Sequence, residues 1–343
     1  MNNVSKRVVT IDGTTLNTLD VLDVARESAI VEIAEEAMLK VKLSRRVVDR
    51  IVDGDETVYG INTGFGSLVH TRVNQDEAEL LQLNLIRSHA TGLGPNLSKE
   101  LVRAMMCVRL NSLMKGHSGV HPDVVQQLSE FLNNSIHPIV PRIGSLGASG
   151  DLAPLSHLAC ALVGEGRVEL NGDVMTAMEA IRTCEMVPLT LRAKDGLSLI
   201  NGTSLITGML CVAVEKLRLL LTYADIVAGM SIDATGSTLT PFGEQIHQVR
   251  PHPGQLFVAS RMETILSDST ILQHHEDCDR VQDPYSFRCI PQVHGPVQET
   301  LQKLMETVAI ELNSSTDNPL IFPDAENPGP HEVVSQGNFH AEV

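Results

Sequence analysis

Residues Gly144-Ser-Leu-Gly-Ala-Ser-Gly-Asp-Leu-Ala-Pro-Leu155 interrupt a largely helical pattern with three glycines and then enter the apolar stretch Leu152 to Ala159. The plain reading is a glycine turn followed by a helix capped at its start. A second reading is chemical. A tight bend presses the Gly150 amide nitrogen against the Ala148 carbonyl carbon, since Gly150 has no side chain to block the approach and tolerates strained dihedrals. Ring closure with loss of water, including the Ser149 hydroxyl, gives a conjugated methylidene-imidazolone, a strong carbon electrophile. The positive end of the following helix favours negative charge arriving on that ring. Five residues make this chemistry possible without establishing it.

Outward from this stretch the chain reads as mainly α. Ile30, Ile33, Ala34, Ala37 and Met38 fall at helical spacing and predict a helix over 29–52. The acidic start of 76–89 suits a helix N-terminus. Further helices are expected at 98–115, 122–133, 152–164, 203–231, 255–268 and 298–313. Val8 to Ile11 and Arg167 to Leu170 are the strand signals, each expected in a small hairpin. The breaks between helices carry the chemistry-bearing residues: Tyr59-Gly-Ile-Asn-Thr-Gly-Phe-Gly66, the stretch quoted above, Asn201-Gly-Thr203 and Gln282-Asp-Pro-Tyr-Ser-Phe-Arg288. Loops held by a rigid scaffold are where function concentrates.

The chain has 343 residues, long enough for more than one domain. Its formal net charge of −16 argues against nucleic acid and anionic membranes as partners, because both require cationic surface. The six cysteines form no Cys-x-x-Cys pair and mostly sit in apolar surroundings, as expected of a reduced, cytoplasmic protein. Leu205 to Val214, the most apolar run, is cut by Glu215-Lys216 and is too short to span a bilayer. His274-His275-Glu276-Asp277-Cys278-Asp279 lacks the His-Glu-x-x-His spacing of a helical zinc site, so no metal is expected. Gly64-Phe65-Gly66 has Val69 where a dinucleotide fingerprint needs glycine, and no Gly-x-Ser-x-Gly elbow is present.

Gly144 to Leu155 resembles the signature of the family of histidine, phenylalanine and tyrosine ammonia-lyases and related aminomutases. Tyr59 to Gly66, Ser88-His89-Ala90, Lys194 to Thr203, Arg250-Pro-His-Pro-Gly254, Asp277 to Cys289, Glu311 to Pro319 and Gly337-Asn-Phe-His340 resemble it too, in the family's order. The similarity runs from about residue 50 to the last residue. It implies a mainly helical, ammonia-lyase/fumarase-like fold, with an N-terminal domain over 1–200 carrying the ring-forming loop. Residues 201–343 would then be the first part of a long helical bundle whose C-terminal part lies outside this chain. It implies the cofactor 4-methylidene-imidazole-5-one (MIO), formed autocatalytically from Ala148-Ser149-Gly150. It also implies an amino-acid substrate and a homotetramer whose active sites mix residues from several subunits.

Elimination of ammonia from an α-amino acid is hard, since the proton lost is weakly acidic and ammonia leaves poorly. An electrophile, a base and a cation for the carboxylate answer those needs. A phenol titrates near pH ~10, so for a tyrosine base either the pKa must fall or the proton must leave as substrate approaches. A lone tyrosine in a glycine loop is more often structural, but the chain has three tyrosines and two fall in the family motifs. The resemblance places the base on Tyr59 and a further active-site tyrosine on Tyr285. Arg288 becomes the carboxylate clamp, where guanidinium matches carboxylate bidentately; without the resemblance it reads as a structural ion pair. Asn201, otherwise a helix cap, would hold substrate or cofactor by its amide. Gln282, Asn318 and Phe339 match other pocket positions. His89, otherwise a core histidine, corresponds to the position facing the substrate ring, where an imidazole hydrogen-bonds a polar ring.

The reaction implied first is histidine to trans-urocanate and ammonia. Tyrosine or phenylalanine deamination, or a 2,3-aminomutase, is the runner-up. An inactive scaffold is the alternative of another class, because family members usually continue for roughly another third. The chain is then a fragment, natively short, or trimmed. Gln336 and Ala341 also stand where glycine is common in the family.

Overall fold

The computed structural model describes residues 6–54, 57–63, 75–146, 150–274 and 280–338. Among them are fourteen α-helices and nine short strands, so the mainly helical reading holds. The chain divides into two compact units, Met1–Val212 with Val308–Val343, and Ala213–Thr307.

The first unit is organised around the helix Lys99–Met114, where every residue from Val102 to Met114 is buried. A helix covered on all sides is a core element rather than a surface one. Its core includes two arginines. Arg103 donates from Nε to the Val24 carbonyl (2.8 Å) and from Nη1 to the Leu132 carbonyl (3.0 Å). Arg109 is taken up with the site. The helices Gln75–His89, Leu152–Leu162 and Asp195–Ile200 pack on one another. Gly196 permits this: a Cβ there would lie 2.9 Å from the Gln82 carbonyl.

The helix expected over 29–52 is two elements. Ala29–Ile33 is a strand and the helix runs Glu35–Asp53. The strand pairs in parallel with Arg7–Ile11, in register Val9 with Val31. Asn133 clamps Val31 from both sides, accepting from its N–H (2.8 Å) and donating to its carbonyl (2.9 Å). The β-branched run Ile30-Val31 fits a pleated surface, and pairing distant in sequence overrode the helical spacing. The pairing also corrects the hairpin expected at Val8 to Ile11, since parallel strands need a crossover. Helix Thr18–Ala25 supplies it, started by an Asn17/Asp20 capping box. The hairpin at Arg167–Leu170 does form, with Asp173–Thr176. Asn171 (φ 55°) and Gly172 (φ 92°) make its turn, the residue types that positive φ selects.

The second unit is built on Ala213 to Thr235 of the helix Ser204–Thr235, on Pro253–Leu266, and on most of Ile290–Leu312. Ile232, Phe242, Val258, Met262 and Ile290 form its core. Gly254 and Gly295 let two helices cross closely, as a Cβ on Gly295 would stand 2.6 Å from the Gln255 nitrogen. The buried Asp225 joins three helices by accepting from Arg261 (2.8 Å) and pairing with His294 (2.7 Å). The helix expected from 298 starts at Ile290 and runs through Pro296. No described helix is long and apolar enough to cross a membrane.

Candidate active site

Ala148 and Ser149 lie outside the described residues, as does Phe339; Gly150 is described. Gly150 is buried and takes φ 68°, the left-handed region that glycine enters without penalty. The Leu146 N–H donates to the Gly150 carbonyl (3.0 Å). Gly150 bridges Gly202, and the Asp151 N–H donates to the Gly202 carbonyl (2.8 Å). Asp151 makes no side-chain cap for its own helix. Its carboxylate instead accepts from the amides of Leu205 (2.7 Å) and Ile206 (3.0 Å), at the start of Ser204–Thr235. The ring-forming stretch and Asn201-Gly-Thr203 are therefore held together twice, by backbone and by a carboxylate on a helix N-terminus.

Asn201 ends the short helix Asp195–Ile200. Its side chain turns elsewhere, donating from Nδ2 to Asp317 Oδ1 (3.3 Å) and to the Asn318 carbonyl (3.0 Å). Both donor directions are engaged, which leaves the amide oxygen as the group it can offer a ligand. Asp317 also takes Lys194 Nζ (2.6 Å) and Ser198 Oγ (2.9 Å), and Lys194 and Asp317 have no exposed surface as residues. Burial pulls the Lys194 ammonium below its ordinary range, while the charge of Asp317 opposes it. Next to this pair, Asp195 accepts from Arg45 (3.2 Å) and from the His121 amide (2.8 Å), and burial lifts its carboxyl to about 6.

Tyr59 is half-buried, in a turn closed by the Ile61 N–H on the Val58 carbonyl (3.2 Å). Gly60 follows at φ 76°; a Cβ there would lie 2.9 Å from Leu197 and 3.0 Å from Pro319. The Tyr59 turn thus rests on the helix that ends at Asn201 and on the residue after Asn318. Asn318 accepts from the Gln336 amide (3.1 Å) through Oδ1. Within this unit the structure gathers Tyr59, Gly150, Asn201 and Asn318. His89 closes the helix Gln75–His89, which packs on the same elements. Its Nδ1 lies 2.9 Å from the Leu85 carbonyl. A carbonyl only accepts, so Nδ1 carries the proton and Nε2 is left as an acceptor. Two turns on from Gly150, His157 Nε2 accepts from the Gly92 N–H (3.2 Å), tying the segment after His89 to Leu152–Leu162.

Gln282, Tyr285 and Arg288 belong to the second unit. Gln282 and Arg288 line one cavity of about 880 Å³, with Arg280 and Asp283. Arg288 donates from Nε to the Asp283 carbonyl (2.7 Å) and stacks its guanidinium 4.4 Å from the Tyr285 ring centre. Tyr285 is 77% exposed. Residues 275–279, most of the His274 to Asp279 run, lie outside the described residues.

Sequence reasoning assigned no role to Arg109, Asp151, Lys194 or Asp317. The available signal was charge inside apolar pattern, as in Leu101-Val-Arg-Ala-Met-Met-Cys-Val-Arg-Leu110. Its meaning depended on partners far along the chain, Arg109 reaching Ser198 and Asn201, 89 and 92 residues on, and Lys194 and Asp317 standing 123 apart.

A sequence model of the family described as aromatic amino acid lyase matches residues 16–343. The chain is 47% identical to a probable histidine ammonia-lyase of Halobacterium salinarum and 44% identical to histidine ammonia-lyase of Bacillus subtilis, in each case over 98% of this chain and 65% of the relative. It thus spans about 65% of the length of these curated relatives. Among solved structures, histidine ammonia-lyase from Trypanosoma cruzi superposes with a TM-score of 0.86 at 40% identity, covering 97% of this chain and 61% of that one. Tyrosine aminomutase from Streptomyces globisporus does so at 0.88 and 36% identity, covering 97% and 65%. The chain belongs to the aromatic amino acid lyase family.

Proposed function

We propose that the protein is a carbon–nitrogen lyase that eliminates ammonia from L-histidine to give trans-urocanate. The observation that carries the reading is Gly150, held at positive φ against Gly202 beside the anchored amide of Asn201. That backbone suits a ring made from Ala148-Ser149-Gly150, because the nitrogen that must attack belongs to a residue without a side chain, whose carbonyl is already held by the Leu146 N–H. The MIO group would supply an electrophile for capture of the substrate.

The protein's own residues have separate tasks in this reading. Tyr59 takes the β-proton. Asn201 accepts a hydrogen bond from the substrate through its free amide oxygen. Arg288 holds the carboxylate, with Gln282 and Tyr285 beside it, and Asn318 and Phe339 complete the pocket. His89, protonated at Nδ1, offers Nε2 to the N–H of a substrate imidazole. An apolar ring gives it no partner and leaves that nitrogen unsatisfied. The same acceptor also suits a tyrosine hydroxyl, and the likeness to a tyrosine aminomutase keeps tyrosine deamination or 2,3-amino migration as the second reading. The 1–200 segment carries the electrophile and 201–343 begins the helical bundle. The working form is a cytoplasmic homotetramer.

The test is to incubate the protein with histidine, tyrosine and phenylalanine, to identify products, and to weigh the intact chain. Urocanate and a mass lower by two waters are expected, and Ser149→Ala should lose both. Normal turnover by Ser149→Ala would remove the electrophile from the reading.

A further inference from the structure

Arg109 is fully buried in the middle of Lys99–Met114. Burying a guanidinium is costly unless its N–H groups are used. Arg109 uses one nitrogen twice: Nη2 donates to the carbonyls of Ser198 and Asn201 (2.9 Å to the latter). Those carbonyls close the helix Asp195–Ile200, where a cation is well placed. Nε and Nη1 have no hydrogen-bond partner among the described residues. Nη1 occupies the space a Cβ on Gly202 would need, and Thr316 Oγ1 stands 2.6 Å from that same point. Burial lowers the Arg109 pKa, and the charges of Asp317 and Asp151 act against that.

The residue held by Arg109 is therefore the neighbour of the residue that holds Gly150. Arg109 fixes the Asn201 carbonyl; Lys194 and Asp317 fix the Asn201 side chain. Gly202 follows directly, bridging Gly150 and accepting from Asp151. A positive charge with two nitrogens lacking hydrogen-bond partners among the described residues is a poor way to strengthen a core. It is a good way to hold one peptide still at both its carbonyl and its α-carbon.

We propose that Arg109 is a positioning residue for the backbone condensation at Ala148-Ser149-Gly150, acting through Asn201-Gly202. This rests on the ring proposed above. In that condensation the Gly150 nitrogen bonds to the Ala148 carbonyl carbon. The Ala148 oxygen leaves as water with the Gly150 and Ser149 amide protons. The Ser149 hydroxyl leaves as a second water with the Ser149 α-proton. No oxidant or second reactant is required. The demand is geometric, since an amide nitrogen attacks a carbonyl carbon two residues back only while the chain stays bent, and a fixed partner strand raises the fraction of time in which it does.

The experiment follows newly synthesised full chain over time. Each sample is digested and the peptide spanning 144–152 is weighed, giving the rate of loss of two waters. Amide exchange reports protection at Asp151, and thermal melting reports the fold. Arg109→Met is expected to stay folded, to lose protection at Asp151, and to shed water at least tenfold more slowly. Arg109→Lys, which keeps the charge but cannot reach both carbonyls alike, should fall between. Water loss at the wild-type rate in folded Arg109→Met overturns the proposal. Where Arg109→Met does not fold, the same result in Arg109→Lys overturns it. A wild-type chain that keeps both waters would instead sink the proposed electrophile itself, so the two failures are distinct.

Discussion

Asn201 and Arg288 are both assigned to substrate, and they are held by opposite means. Asn201 is anchored to Asp317, whose partner Lys194 is as buried as it is, in a network that also takes Ser198 and Arg109. Arg288 leans on a tyrosine ring that is mostly exposed and on one carbonyl five residues back. The first arrangement spends stability on desolvated charge to fix one peptide within a small range. The second is local and solvated, where a cation–π contact is worth roughly 0.5–1 kcal/mol. In the proposed site, the part that would carry out backbone chemistry on itself is the one held by buried charge. The part that would receive a carboxylate holds its arginine by one backbone carbonyl and one mostly exposed ring.

The contrast breaks most severely at Asp317. Asp317→Ala leaves the Lys194 ammonium buried without a carboxylate, at a cost of about 3–5 kcal/mol. Denaturant midpoints at unchanged slope would show it, and a cost under about 1 kcal/mol would mean the pair is not what holds Asn201. Acid probes another buried cation of the first unit, Arg103, which lies 3.0 Å from His137 Nε2. Burial first, and then the charge of Arg103, pull His137 down to about 4. The unfolded chain therefore takes up a proton near the ordinary histidine pKa that the folded chain refuses until about pH 4. Stability falls as pH drops through that window. Glu27 acts lower. Burial would raise it, but Lys99, Ser135 and Arg103 together hold it at about 2, so its contribution is present above the ordinary carboxylate pKa and drains as pH falls toward 2. His137→Asn should flatten the upper part of the stability profile alone; a profile unchanged by the substitution would assign that loss to another group.

Smaller effects sharpen the same comparison. Tyr285→Ala should cost no more than about 1 kcal/mol in melting experiments, while substrate affinity falls as Arg288 loses its support. A cost like that of Asp317→Ala would show that the second unit also depends on its site residues. Gln336 takes φ 70°. Left-handed backbone costs an L-residue roughly 1–2 kcal/mol, and glycine returns part of that as chain entropy, roughly 0.5–1 kcal/mol. Gln336→Gly should therefore raise stability by about 0.5 kcal/mol, measured by the same midpoints. A loss would mean that the Gln336 side chain contributes more than its backbone costs.

Legibility followed the range of the forces involved. Helices Lys99–Met114, Pro122–Asn133 and Leu152–Leu162 were readable because apolar spacing and caps act within a few residues. Ala29–Ile33 was misread as helix because its partner strand and the Asn133 clamp lie far along the chain. Pro296 hid the first turns of Ile290–Leu312, since a proline inside a helix normally ends it. At the site, Tyr59, Gly150, Asn201 and Asn318 were named from motifs, and the structure draws them together. Arg109, Lys194 and Asp317 went unassigned, because a charge in a sequence looks the same whether it ends in water or in a core.

The order of residues settled by itself which atoms are available: an Ala-Ser-Gly able to condense, glycines where the backbone must turn left-handed, and a histidine at the end of a helix. Those are local properties, written in each residue's own covalent structure. Which charges lose their water and which peptide Gly150 leans on were decided only when distant segments met. Dielectric and hydrogen-bond partners belong to the packed chain and to no residue alone.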